Sequence, residues 1–286
     1  IDEVTVMERK FLEEHLIRGT ADLPVGIYSV DAAKEGHIPL HYHREFEFLV
    51  VTHGKAKIQL EGNAVYLNSS EGIFINSQTL HSSVNITEND GFSFIAIVFS
   101  PELIAPEYDN LYKRFIRPII KNKFALPVVL PDEIVNIIMK TKKISDRADF
   151  GYELAIKGNI LQMLSIYIAN AEKHPYTKNT IQSEIVKKTL DYIHMNYPNA
   201  ITLRDLASHA HISKEHLCRI FRDISDTSPI VYLNRYRTTQ SAYMLRNTNK
   251  SISEISSLCG FNNGSYFDKM FMRFMKCTPS EYRNKK

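Results

Sequence analysis

Two stretches in the C-terminal third of the chain, TLRDLASHAHI (202–212) and SISEISSLCGF (251–261), repeat each other at a spacing of 49 residues. Leu203 aligns with Ile252, Leu206 with Ile255, Ala207 with Ser256, Ala210 with Cys259 and Ile212 with Phe261. The spacing then becomes 50, pairing Leu217 with Phe267, Arg219 with Lys269 and Phe221 with Phe271, so one residue is inserted in the turn of the second copy. An internal repeat constrains a fold strongly, because both copies must be the same structural unit. Here the unit reads as a helix-turn-helix. Thr202 or Ser251 can cap a first helix, Ala207 or Ser256 is small where two helices cross, and His211 or Gly260 occupies the turn. A second helix follows, capped by Ser213 in the first copy and by Asn262 or Asn263 in the second.

On the second helices, Leu217, Ile220 and Phe221, and in the other copy Phe267, Met270, Phe271 and Phe274, form the inward stripe. Lys214, Glu215, Cys218, Arg219 and Arg222 then face outward, as do Gly264, Ser265, Asp268, Lys269 and Arg273. A narrow exposed face carrying Arg or Lys suits the major groove, where these groups donate to guanine O6 and N7. Charge points the same way. Residues 1–182 carry 19 Lys and Arg against 23 Asp and Glu, whereas residues 183–286 carry 16 against 9. The basic excess therefore lies wholly in the part that holds the repeat, as a polyanion-binding module requires. Between the copies, residues 228–248 read as one long helix with Val231, Tyr232, Leu233, Tyr236, Ala242 and Leu245 available for packing. Eighteen helical residues span roughly 27 Å, and one DNA turn is about 34 Å, so such a connector can hold two recognition helices over successive major grooves.

The N-terminal half has a different texture. GIYSV, FEFLVVT, AKIQL, AVYLN, GIFIN and FSFIAIVF are β-prone runs parted by turn-prone residues, the pattern of an antiparallel sandwich or barrel. Helical periodicity begins after Ser100. Pro131 opens a segment with Ile134, Ile137, Ile138 and Ile144, and a second segment over 149–171 aligns Ile156, Ile160, Met163, Leu164, Tyr167 and Ala171 on one stripe. That stripe serves either as the inner face of a helix packed on the barrel or as a dimer contact. EKHPYTKNTIQSE (172–184) is polar and aperiodic and reads as a linker. No run approaches the roughly 18 apolar residues of a membrane span, and Cys218, Cys259 and Cys277 lack metal-ligand spacing. The expectation is a cytoplasmic protein with reduced thiols and no membrane partner.

HYHREFEF (41–48) carries His41, His43, Glu45 and Glu47 at alternate positions, on one face if the segment is a single strand. With His81 from a later strand, these groups suit a divalent metal, a polar small molecule, or only their own structural hydrogen bonds. At about 3.3 Å per residue, Glu47 would lie roughly 13 Å along a strand from His43. One metal could reach His41, His43, Glu47 and His81 only where the strand bends.

The C-terminal residues ISEISSLCGFNNGSYFDKMFMRFMKCTPSEYR (252–283) resemble the signature of the AraC family of transcriptional regulators. Gly36-x4-His41-x-His43-x3-Glu47-x6-Gly54 and Gly72-IFINSQTL-His81 are similar to the two cupin motifs. The resemblance implies an α+β architecture. A cupin-like antiparallel β-barrel for effector binding, with a helical linker and dimerisation region, would occupy 1–172; an all-α DNA-binding domain, two helix-turn-helix motifs joined by a long helix, would occupy 183–286. By position in the family motif, Glu215, Cys218, Arg219, Gly264, Ser265, Asp268 and Lys269 face bases, with Arg219 and Lys269 best suited to donate. Lys214, Arg222, Arg273 and Lys276 suit phosphates. His41, His43, Glu45, Glu47 and His81 would meet a small polar effector such as a sugar, with no cofactor required beyond a possible divalent metal. The expected output is regulation of promoter DNA by a homodimer working with RNA polymerase, activation ahead of repression and without enzymatic activity. A metal-dependent cupin enzyme fused to a DNA-binding tail, and an architectural DNA binder with an unresponsive barrel, are the alternatives.

Overall fold

The computed structural model describes residues 23–31, 37–86, 91–124, 126–171 and 181–284. They fall into two compact units that divide between 171 and 181. The first unit is a pair of four-stranded antiparallel sheets. One orders its strands β1 (Val25–Asp31), β8 (Ser93–Phe99), β3 (Phe46–His53) and β6 (Gly72–Ile75). The other orders β2 (His37–His41), β7 (His81–Asn85), β4 (Lys55–Leu60) and β5 (Asn63–Asn68). The short strands β2 and β7 are not apparent in the sequence pattern, because HIPLH and HSSVN place polar residues where the other strands are apolar.

Strand β3 explains the layering. Its first six residues are all buried, so a two-residue period must point side chains alternately into two different cores. Phe46, Phe48 and Val50 join one core with Phe74, Ile97, Phe99 and the helices. Leu49 and Val51 join the other with Ile73, Ile75, Phe94, Ala96 and Val98, facing Ala56, Ile58 and Leu67 of the second sheet. Glu47 shares the parity of Leu49 and pairs across its strand with Ile75 and Val98, so its carboxylate is on the face between the sheets. Gly54, with φ +72°, closes the β3–β4 turn where a Cβ would come within 2.3 Å of the Gly91 carbonyl.

The helical core comprises α1 (Asp132–Arg147) and α2 (Tyr152–Ala169). Ile156, Ile160, Met163, Leu164 and Tyr167 are buried against β3, β6, β8 and α1, so the stripe on α2 is core. Ala171 is not part of it, since the helix ends at Ala169. Inside the α1–α2 contact, Asn159 Nδ2 donates to Thr141 Oγ1 at 3.0 Å, and that hydroxyl donates to the Ile137 carbonyl at 2.7 Å.

The second unit is all helical: α3 (Ile181–Asn196), α4 (Leu203–His209), α5 (Lys214–Ser225), α6 (Pro229–Asn247), α7 (Ile252–Leu258), α8 (Gly264–Met275) and α9 (Pro279–Asn284). Residues 181–184, read as linker above, begin α3; their polarity is that of a helix start with Ser183 already buried. The proposed caps at Thr202, Ser213, Ser251 and Asn263 all form. Thr202 with Asp205 and Ser251 with Glu254 complete reciprocal capping boxes, and Thr278 with Glu281 makes a third. The repeat also extends further than its helix pairs. Asp226 and Lys276, 50 residues apart, both end their helices in the left-handed region, at φ 55° and 59°.

The connector α6 touches every other described helix of this unit. It does so through a polar strip as well as an apolar one: Asn234, Arg237, Thr238 and Ser241 are buried beside Tyr232, Leu233, Tyr236, Ala242 and Leu245. Val231 is only half-buried. Arg237 donates from Nε to the Tyr197 carbonyl at 2.8 Å and from an Nη to the Asn199 carbonyl at 2.7 Å. Gly260, at φ +81°, lies so close that a Cβ would meet the Tyr197 carbonyl at 2.4 Å. On α3, His194 stacks on Tyr236 at 4.3 Å between ring centroids and meets the Tyr232 hydroxyl at 2.8 Å. Burial lowers its pKa from 6.5 to about 4.

Two outcomes follow from this packing. Replacing Arg237→Met strands the buried Tyr197 carbonyl and should cost about 2–3 kcal/mol in urea unfolding, whereas Arg219→Ala on the exposed face should stay within about 0.5 kcal/mol. Because the folded pKa of His194 lies below its unfolded value, the unfolded chain binds the extra proton. Stability is thus fully present above 6.5 and drops as pH falls toward about 4. His194→Phe, which stacks but does not titrate, should flatten that slope when unfolding is followed across the window.

Candidate functional site

Two places in the structure carry chemistry that packing does not require. The first is the outward face of α5 and α8. Leu217, Ile220 and Phe221 are buried on α5, and Phe267, Met270 and Phe271 on α8. This leaves Lys214, Glu215, Arg219 and Arg222 exposed on one helix, and Gly264, Ser265, Asp268, Lys269 and Arg273 exposed on the other. Cys218 is half-buried. Phe274 departs from the expected inward stripe: it is half-buried, with the Arg235 and Arg273 guanidinium carbons 5.7 Å and 5.4 Å from its ring centre. Lys276 is exposed at the C-terminal end of α8.

The N-terminal turns of the two helices differ. Glu215 is held below the usual carboxylate range by its own amide and the Ser213 hydroxyl, which ties it to the start of α5. At the start of α8, the Tyr266 hydroxyl accepts from Asn234 Nδ2 at 2.9 Å, linking that helix to the connector. This bond is not legible in the sequence, because Asn234 is one polar residue among several on α6. The basic count also overstates the exposed charge, since Arg237 is spent on backbone carbonyls inside the unit.

The second place lies between the two sheets. His41 ends β2, and residues 42–45 leave the ladder before β3 begins at Phe46. The stretch 41–47 is therefore not one strand face, as its alternation suggested. The break folds His43 back so that its Nε2 is 3.1 Å from Glu47 Oε2. His81, at the start of β7 and paired with His41, brings its Nε2 to 3.5 Å from the same oxygen. Ring centroids are 4.0 Å apart for His41 and His81 and 5.0 Å for His43 and His81. Glu45 lies on the other side of the His43 ring, 3.6 Å from Nδ1, so its carboxylate is apart from this convergence.

Each imidazole is oriented by a backbone carbonyl. His41 Nδ1 meets Pro39 O at 2.9 Å, His43 Nδ1 meets Glu45 O at 3.1 Å, and His81 Nδ1 meets Thr79 O at 2.8 Å. A carbonyl can only accept, so Nδ1 is the donor in each of these contacts, and in His43 and His81 it is Nε2 that faces Glu47. Burial, with His81 and His43 alongside, holds the His41 pKa well below the ordinary value. Burial alone would raise the Glu47 carboxyl, but its bonds to His43 and His81 outweigh that and hold it far below the usual range. One ligand atom from each of the three imidazoles lies within 4.8 Å of the others. These three imidazoles are grouped closely enough that they could hold a metal ion.

Comparison with known proteins matches both units of the chain. The family model described as an AraC-like ligand binding domain matches residues 25–164, and that for a helix-turn-helix domain matches residues 206–285. The chain is 28% identical over 284 residues to an HTH-type transcriptional regulator, YdeC, of Bacillus subtilis, covering 96% of this chain and 95% of that one. It is 32% identical over 116 residues to the HTH-type transcriptional activator AarP of Providencia stuartii, covering 41% of this chain and 83% of the relative. The lactose operon transcription activator of Staphylococcus xylosus is 32% identical over 104 residues, which is 36% of this chain and 37% of the other. No described helix is long and apolar enough to cross a membrane. The chain belongs to the AraC family of transcriptional regulators.

Proposed function

We propose that this regulator reads a specific promoter sequence through α5 and α8, and that a small ligand held between the sheets of the barrel controls that reading. The observation that carries it is the pair of equivalent, separately capped helices on one connector, each with its apolar face buried and a basic residue, Arg219 or Lys269, exposed at the matching position. Arg219 and Lys269 are the base-reading donors, with Glu215, Cys218, Ser265 and Asp268 beside them on the same faces. Gly264 offers no side chain and lets the helix backbone come close to the duplex. Lys214, Arg222, Arg273 and Lys276 contact phosphates and set register. Arg273 stacks on Phe274, which holds its guanidinium in place ready for such a contact.

The division of labour is a ligand-binding and dimerising part over 1–172 and a DNA-reading part over 183–286. Activation through RNA polymerase, by a homodimer, is the output we favour; the matched relatives AarP and the lactose operon protein are both named as activators. The input site consists of His41, His43, Glu47 and His81, with Glu45 behind His43. Its imidazoles and carboxylate suit a ligand rich in hydrogen-bonding groups, and a sugar-like polyol is one such class. Binding there shifts the populations of DNA-competent and incompetent states, which works only if the ligand prefers one of them.

Arg219→Ala and Lys269→Ala should each cost about 1–3 kcal/mol at the cognate site and relax the preference at one base position. Arg222→Ala should weaken binding to every sequence alike and lower the salt dependence by about one counterion. Fluorescence anisotropy on a randomised-site selection and its scrambled control separates the two behaviours. Equal losses on all sequences for Arg219 and Lys269 would reassign both to the phosphates.

A further inference from the structure

We propose that the barrel unit carries a second DNA contact, a basic ridge over 112–123 that grips the phosphates of duplex flanking the recognised site. This goes beyond base reading by α5 and α8, and rests on that reading only for what brings the chain to DNA. Residues 110–131 hold five cations, Lys113, Arg114, Arg117, Lys121 and Lys123, and no Asp or Glu, whereas the rest of 1–182 holds 14 Lys and Arg against 23 acids. All five are exposed. Among the described residues none of them is in a salt bridge, in contrast to Lys142 with Asp146 and Lys187 with Glu184. A run of like charge inside an acidic unit repels itself and is relieved by a polyanion.

The fold builds the ridge. A π-helical turn, Tyr112–Ile116, runs into a short α-helix, Arg117–Ile120. Tyr112, Ile116 and Ile119 are buried in the same core as α1 and α2, which turns Lys113, Arg114 and Arg117 outward. Asn76 Nδ2 donates to the Ile119 carbonyl at 2.7 Å and to Asn122 Oδ1 at 2.6 Å, and the Lys123 amide donates to the Pro118 carbonyl at 2.8 Å. The Arg114 guanidinium carbon lies 5.0 Å from the Phe115 ring centre. The backbone is thus fixed before any partner arrives, and binding costs little further ordering entropy. Lys113, Arg117 and Lys121 follow one another at every fourth position, roughly 6 Å apart along a helix axis, while one DNA strand offers a phosphate about every 3.4 Å of its own axis. The row therefore spans several phosphates of one strand.

Other polyanions fit less well. A helix that lies on a membrane inserts an apolar face, but within 112–123 every apolar side chain is buried or half-buried. DNA is also the polyanion that the rest of the chain holds, and a weak contact joined to a stronger one in the same chain acts at high effective concentration.

The test measures the full chain by fluorescence anisotropy on two duplexes that carry the same selected site, one trimmed to the site and one with added flanks of random sequence. Wild-type protein should bind the flanked duplex about 10-fold tighter at low salt, with a salt dependence steeper by about 2–3 counterions. The triple variant Lys113→Gln, Arg114→Gln, Arg117→Gln should lose that gain and the extra salt dependence, while its affinity for the trimmed duplex and its melting temperature stay as in wild type. Arg117→Gln alone should lower the salt dependence on the flanked duplex by about one counterion, and it carries the test if the triple change disturbs folding. Exchanging the cations, Lys113→Arg, Arg114→Lys and Arg117→Lys, should keep the gain, as should Lys140→Gln with Lys143→Gln on α1. A wild-type chain with no gain overturns the proposal, as does a gain that survives in the variants lacking these charges. Sedimentation with phosphatidylglycerol vesicles that is lost in the triple variant, with the flank gain untouched, reassigns the ridge to a membrane surface. Equal binding of trimmed selected and trimmed scrambled duplexes would sink the reading through α5 and α8, with the flank gain still deciding the ridge.

Discussion

A carboxylate placed between two apolar sheets must be compensated, and the region around the barrel's second half-core follows from how Glu47 is. Strand β3 is buried on both faces, so the residue two before Leu49 has nowhere to point except the space between the sheets. Leaving an ionised group there unpaired would cost several kcal/mol. The compensation comes from the break in the ladder at 42–45, which turns His43 back toward Glu47, and from β7, which delivers His81 opposite His41. The same part of the chain carries a short β2, a register shift between Ile38 and His41, and a polar β7.

Arg237 plays the corresponding part in the helical unit. Its guanidinium holds the end of α3 through the carbonyls of Tyr197 and Asn199, and its plane lies 5.9 Å from the Phe261 ring centre in the turn of the second helix pair. Gly260 is required at that turn because the same backbone presses against it. The first helix pair has His211 at the matching turn, with φ 56° and an exposed side chain.

The caps, the repeat and the two-unit division were legible because each rests on local chemistry. Ser, Thr and Asn before an apolar period cap helices wherever they occur, and Val-rich runs of five to eight residues pair as strands. The candidate pocket was legible in its residues but not in its shape. HYHREFEF alternates perfectly, and alternation alone makes a strand; the break at 42–45 arises from long-range demands that no local window contains. Likewise Asn234 and Arg237 are not among the residues of the long helix read as available for packing, and only the contacts of α6 with its neighbours put them inside. Linker composition misled at 181–184 for the opposite reason, since the first turn of a helix is polar by nature.

Equal architecture with unequal chemistry has a consequence for what the DNA-reading unit can recognise. The two helices share caps, buried stripes and left-handed ends 50 residues apart. Their exposed faces do not match: Glu215 and Cys218 stand where Ser265 and Asp268 stand in the other copy, and only the Arg219–Lys269 position keeps the same sign. Arginine presents a fixed fork to guanine, while lysine is a mobile point charge that accepts several base edges. In the proposed reading, a single chain meets two different half-sites, strictly through Arg219 and more loosely through Lys269. Any two-fold symmetry in a target would have to come from a second copy of the chain, not from the repeat within one.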